Sequence, residues 1–136
     1  MGAYRYIRKN ERLALKDKTA RRTILNTLEK SPIVSRVDRP TRLTRAKELG
    51  YHAKQGYLII RVKVAKGSFR RPRPVHARRP SKTGLYFNLA ISKQGIAENR
   101  ALKVYRNAEV LGSYFLVENG QYKWFEVIMK ANNAAN

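Results

Sequence analysis

A chain of 136 residues with 30 Lys and Arg against 9 Asp and Glu carries a formal charge of +21 on what reads as a single domain able to bury a core. There is no cysteine, which excludes a disulfide frame and a thiolate metal site, and no apolar run approaches the roughly 20 residues of a membrane-spanning helix. Self-repulsion on this scale works against a compact free protein, so the surplus charge is expected to serve a polyanion: nucleic acid first, an anionic membrane surface second.

The N-terminus, Met1 to Ile7, lacks the apolar core of a secretory signal, and Gly2 followed by Tyr6 fails the myristoylation pattern. An intracellular soluble protein is expected. Residues 1–31 read as helix in one or two pieces. Ala20, Ile24, Leu25 and Leu28 form an apolar stripe interleaved with Lys18, Arg21 and Arg22; Asp17 is a candidate N-cap, and Ser31-Pro32 stops the helix.

Residues 32–56 change in kind. Arg36, Arg39, Arg42, Arg45 and Lys47 recur about every three residues. Pro40 denies a helix across the start, and a short helix from Thr41 or Thr44 to Leu49, closed by Gly50, fits the second half. Such a helix sets Arg42 and Arg45 on neighbouring turns as a guanidinium ridge suited to phosphates. Around Gly56, the run Tyr51-His52-Ala53-Lys54-Gln55 with Tyr57 supplies aromatics, an amide and a cation; the plain alternative is a turn with a packed tyrosine.

Tyr57 to Lys66 is the clearest single strand. Leu58, Ile60, Val62 and Val64 alternate with Arg61 and Lys63, which predicts one face in a core and one turned to something polar. Beyond Gly67 come Arg70, Arg71, Arg73, His76, Arg78, Arg79 and Lys82, broken by Pro72, Pro74 and Pro80, so residues 67–84 are expected to be a long basic loop. No acid lies between Glu48 and Glu98, an interval that holds 11 Lys and Arg, including Lys54, Lys66 and Lys93. A solvated face mixes signs; this interval does not, and its arginines outnumber its lysines, as bidentate phosphate contact favours.

Leu85 to Ile91 suggests a short strand or extended arm, and Ser92 caps a helix expected to reach about Asn107. On that helix Ala97, Ala101, Val104, Tyr105 and Ala108 fall near one face, with Arg100, Lys103 and Arg106 on the other. Val110 to Val117 and Tyr122 to Met129 flank Asn119-Gly120, the preferred pair for a two-residue hairpin turn. That turn pairs Val117 with Tyr122, Phe115 with Trp124, Tyr114 with Phe125, and Val110 with Met129. The aromatics are expected to pack the core, with a base-stacking platform as the alternative. Residues 131–136 read as a polar tail with no reason to order.

The expected fold is α+β: a helical basic N-terminal segment over 1–50, a core over 51–130 built on a small, mostly antiparallel sheet with helices packed on it, and the basic loop. His52 and His76 sit among cations, without the carboxylates, nucleophile set or Gly-rich loop that metal binding or catalysis needs. No cofactor, metal or small-molecule substrate is expected, and the enzyme reading, a nucleic-acid-modifying activity using either histidine, has no positive support.

Arg39-Pro40-Thr41-Arg42 and Ala46 to Tyr57 (AKELGYHAKQGY) closely resemble the signature of large-subunit ribosomal protein fifteen of the archaeal and eukaryotic type. Met1 to Ile7 resembles that family's start, and Val110 to Tyr114 with Tyr122 to Ile128 its closing hairpin. The resemblance implies a structural constituent of the large ribosomal subunit, in the cytoplasm, with large-subunit rRNA and neighbouring ribosomal proteins as partners and no membrane. By matching positions it makes Arg39, Arg42, Lys47, Lys54 and Gln55 the first candidates for rRNA contact. Residues 67–82 match only in basic character, residues 8–37 match poorly, and His52 stands where the family usually has lysine. The family continues past its hairpin into a basic C-terminal extension that is not expected here. A free-standing nucleic-acid-compacting protein is the competing function.

Overall fold

The computed structural model describes residues 2–67, 75–76 and 90–132. Helices α1 (Ala3–Lys16) and α2 (Lys18–Glu29) lead into strand β1 (Val34–Val37) and helix α3 (Leu43–Glu48). Strand β2 (Tyr57–Ala65), helix α4 (Lys93–Val104) and strands β3 (Ala108–Glu118) and β4 (Tyr122–Ala131) follow. The four strands form one antiparallel sheet in the order β1-β2-β4-β3. This is the expected α+β arrangement, with the 57–66 strand joined to the hairpin and the helix after Ser92 on one face.

The alternation in β2 decides that face. Ile60, Val62 and Val64 join Phe125, Val127 and Met129 of β4, and Ala97 and Ala101 bring α4 down onto them. Each large apolar side chain buried there contributes about 1.5–3 kcal/mol relative to exposure. The Ser92 hydroxyl accepts the Gly95 N–H at 3.1 Å, capping α4 as anticipated. The helix ends at Val104 rather than near Asn107, and Val104 is exposed; Tyr105 takes the inward position instead.

The opposite face is also covered, which corrects the outward orientation expected of Arg61 and Lys63. Ile59, Ile128 and Tyr114 pack with Ala46 of α3 and Tyr51. Trp124, Leu116 and Val117 pack with Leu28 of α2, flanked by Ile24, Leu25 and Leu15. A period-two pattern reports that alternate residues differ in polarity; it does not report whether the polar row meets water or another layer of the same protein.

The break between the N-terminal helices falls at Asp17, whose carboxylate accepts from the N–H groups of Thr19 at 3.2 Å and Ala20 at 3.4 Å. Strand β1 was not anticipated: it has four residues between Pro32 and Pro40, and only Val34 and Val37 are apolar. It pairs with β2 in the register Val34↔Val62 to Val37↔Ile59. Helix α3 lies within the expected bounds. Gly50, at φ +90, takes the left-handed turn that ends it, donating to Lys47 O at 3.0 Å while Tyr51 N–H reaches Ala46 O at 3.0 Å.

The hairpin register departs from expectation near its turn. Glu118 pairs with Lys123 and Val117 with Trp124, not with Tyr122. Asn119 is the cause: its side-chain oxygen accepts from Gln121 N–H at 2.9 Å and Tyr122 N–H at 2.7 Å, and its own N–H donates to Tyr122 O at 3.0 Å, which moves the turn one residue along the chain and shifts the register by two. Two bulges, at Leu111 and Leu116, each absorb a residue, and the expected pairing of Val110 with Met129 is restored. Phe115 therefore meets Phe125 edge-on, with centroids 5.9 Å apart. Residue 131, assigned above to the tail, closes β4: Ala131 pairs with Ala108 and donates to Gly56 O at 2.7 Å. The expected basic loop over 67–84 (apart from Gly67, Val75 and His76), residues 85–89 of the short strand or extended arm expected over 85–91, and residues 133–136 of the tail lie outside the described residues.

Candidate nucleic-acid interface

The basic segment from Asp38 to α3 is held on the sheet by one carboxylate. Glu126, in the middle of β4, is fully buried. Its Oε1 accepts from Arg61 Nη2 at 2.8 Å, Arg61 Nε at 3.2 Å and the Thr41 hydroxyl at 2.6 Å. Its Oε2 accepts from Thr41 N–H at 3.0 Å and from the Tyr114 hydroxyl. Arg61 also donates to the Thr41 oxygen at 3.1 Å. Opposed charges on adjacent strands, Arg61 paired with Glu126 in the register, thus leave the carboxylate oxygens free to grip Thr41. The Tyr114 oxygen in turn accepts the Arg42 N–H at 3.4 Å, and the Arg42 guanidinium lies 5.9 Å from the Tyr114 ring centroid.

From this anchor the remaining candidates fan out. Arg36 on β1, Arg39, Arg45 and Lys47 are exposed, whereas Arg42 is half-buried against Tyr114. Arg45 and Arg8 both pair with Glu48, at 2.7 and 3.1 Å, and the Arg45 hydrogen bond, with help from Arg8, holds the Glu48 carboxyl below its usual range. In the following turn Tyr51 is buried while His52, Lys54 and Gln55 are exposed, His52 lying edge-on to Tyr57 at 5.4 Å. The packed-tyrosine reading and the binding reading of that turn therefore apply to different residues of it.

Three candidates on or after β2 are tied inside the molecule. Arg61 serves Glu126. Lys63 donates to Ser31 O at 3.1 Å and Glu29 O at 3.4 Å and lies 5.3 Å from the Tyr122 ring centroid. Lys66 pairs with Glu118 at 3.4 Å. His76 is exposed with φ +59. Arg70, Arg71, Arg73, Arg78, Arg79 and Lys82 lie outside the described residues.

The acids explain the electrostatic character of the surface. Glu11 accepts from Thr44, Asp17 caps α2, Glu29 accepts from Asn119, and Glu98 accepts from Ser113. Glu48, Glu118 and Glu126 hold ion pairs. Most of the negative charge is thereby spent on the protein's own groups, with Arg8, Arg45, Arg61, Lys66 and Lys123 as the cations of these ion pairs. Glu126, Thr41 and Tyr114 act as positioning residues that the sequence pattern did not single out. The one local signal for them is an acid, Glu126, set in the middle of an aromatic strand.

Burial first, and then the neighbouring Glu126 charge and the hydrogen bond to it, push the Tyr114 phenol well above its usual value. A phenol raised on folding contributes stability that is complete below its unfolded value, about 10, and is lost as pH climbs through the higher folded value. In an alkaline ultraviolet titration, Tyr114 is expected to ionise only with unfolding, after the exposed tyrosines, and Tyr114→Phe to delete that late component. A late component unchanged by the substitution would contradict the assignment.

Among the described residues, no group of three or more His, Asp or Glu could hold a metal ion, and no helix is long and apolar enough to cross a membrane. A family model described as Ribosomal L15, of the L15e type, matches residues 2–135. The match runs through residues 8–37, where the motif resemblance is thin.

Proposed function

Because the chain belongs to the Ribosomal L15 family of the L15e type, whose members are structural constituents of the large ribosomal subunit, we propose that its basic surface binds large-subunit rRNA through Arg– and Lys–phosphate contacts. The observation that carries this reading is the segregation of charge. Most carboxylates are engaged within the protein, while Arg36, Arg39, Arg45, Lys47, His52, Lys54 and Gln55 are exposed between residues 36 and 55. In the sequence, the acid-free interval continues the run of basic residues through Arg70, Arg71, Arg73, His76, Arg78, Arg79 and Lys82.

The mechanism is neutralisation of crowded phosphates with release of their counterions, without turnover. Arg42 reaches RNA from a guanidinium braced on Tyr114. Arg61, Lys63 and Lys66 add to the same field from tethered positions, so their chief part is to hold the frame. Neighbouring ribosomal proteins are the other partners, and the working location is the ribosome in the cytoplasm.

The test is sedimentation of tagged protein from a lysate through a density gradient at rising salt. Recovery in the large-subunit peak, persisting where loosely held basic proteins leave, is the expected result. Even spread over all nucleic acid, with release at moderate salt, would replace this reading with general nucleic-acid compaction.

A further inference from the structure

Helix α1 buries no side chain of its own, yet it is tied to α3 by a row of polar contacts. Glu11 accepts from the N–H and hydroxyl of Thr44, Arg8 pairs with Glu48 at 3.1 Å, and Lys47 donates to the Tyr4 hydroxyl with its ammonium 4.9 Å from the ring centroid. These contacts do not close the two helices together. A cleft of about 560 Å³ remains, lined by Tyr4, Arg5, Arg8, Thr44, Lys47 and Glu48.

The chemistry of that cleft is specific. Thr44 is neutral and donates to Glu11, and Glu48, the one acid among the lining residues, shares its carboxylate between the Arg8 and Arg45 guanidiniums. Cations therefore dominate the walls, and among them stands an aromatic ring that is 52% exposed. An acidic protein segment would satisfy the cations but offers no flat surface for the ring. A nucleotide satisfies both: phosphates meet the cations, and the base lies on the aromatic face. In a duplex the base faces are covered by stacking, so the ligand must come from a loop or bulge.

We propose that the cleft between α1 and α3 receives one unpaired, extruded nucleotide of RNA, its base stacked on Tyr4 and its flanking phosphates at Arg8 and Lys47. This rests on the rRNA reading above and names a subsite within it. RNA bound there would also bridge α1 to the core, adding to a junction that the protein itself makes with these polar contacts and the partly buried Leu15.

The experiment uses the full chain and intact large-subunit rRNA as probe, with affinity measured across a salt series and zero-length ultraviolet cross-links mapped by mass spectrometry. A cross-link at Tyr4 is expected, and Tyr4→Ala should weaken binding by about 5- to 100-fold, as loss of one stacked base does, with the salt slope unchanged. Tyr4→Phe keeps the ring without the bond to Lys47 and should bind nearly as wild type, whereas Tyr4→Leu, of similar bulk, should resemble Tyr4→Ala. This comparison remains decisive if alanine loosens α1. Equal binding by the phenylalanine and leucine variants, or wild-type affinity in Tyr4→Ala, would overturn the subsite while leaving the rRNA reading intact. Failure of the wild-type chain to prefer rRNA over competitor nucleic acid of equal length would instead remove that reading itself.

Discussion

Glu126→Ala is expected to destabilise the protein by about 3–5 kcal/mol, the cost of leaving a buried charge without its partner. The Glu126 side chain is fully buried and that of Arg61 is 18% exposed. Removing the carboxylate strands the Arg61 guanidinium, the Thr41 N–H and hydroxyl, and the Tyr114 hydroxyl together. Each is at least partly withdrawn from solvent on folding, so losing the shared acceptor leaves several donors unsatisfied at once. Urea unfolding, with the slope checked against wild type, measures the effect. A loss under about 1 kcal/mol would show that the pair contributes little and that the network does not organise the interface. Replacing both partners by apolar residues, Glu126→Leu with Arg61→Met, should recover much of the stability, since a buried ion pair and its apolar replacement are often close in energy. The double variant should still bind RNA weakly, because Thr41 would have lost the acceptor that positions Arg39, Arg42 and α3. Separation of stability from binding in this way is the signature expected of a positioning network.

A second large effect is expected in the salt dependence of rRNA binding. Engagement of 6–10 phosphates predicts a fall in affinity of about 10³–10⁵ between 50 and 200 mM salt. The exposed cations Arg36, Arg39, Arg45, Lys47 and Lys54, with the arginines beyond Gly67, suffice for that number of contacts. Arg39→Gln should lower the slope by about one, as for a single phosphate contact. Lys123→Gln, by contrast, removes a cation already paired with Glu118 at 3.3 Å and should leave the slope nearly unchanged. A shallow slope in the wild-type chain, equivalent to one or two contacts, would be incompatible with binding by charge neutralisation. Identical slopes for both substitutions would mean that net charge alone acts, and that the exposed stretch from Arg36 to Gln55 has no special place.

The kind of fold, and the surplus of cations on which the proposed partner rests, were legible in the sequence. Those properties are local or additive: +21 of charge, an acid-free interval, period-two alternation in β2, a helical stripe ending at Leu28, and a Ser92 cap are legible without knowing what lies opposite. Helix α4 and the pairing of β2 with the hairpin followed from such patterns. The tertiary structure alone decided which polar residues face outward. Arg61 and Arg39 are both arginines in basic surroundings, but one lies under the Asp38–α3 segment against Glu126 and the other is exposed. That distinction depends on a partner 65 residues away in the chain. It decided the hairpin register too, because the Asn119 side chain competes with the backbone for the turn and the bulges at Leu111 and Leu116 take up the difference. Strand β1 exists because β2 presents an edge to it; four residues with two valines carry too little intrinsic preference to announce a strand alone. Composition and periodicity are properties of a segment. Burial of an ion pair, a register and an edge strand are properties of two segments meeting, and those the folded chain had to supply.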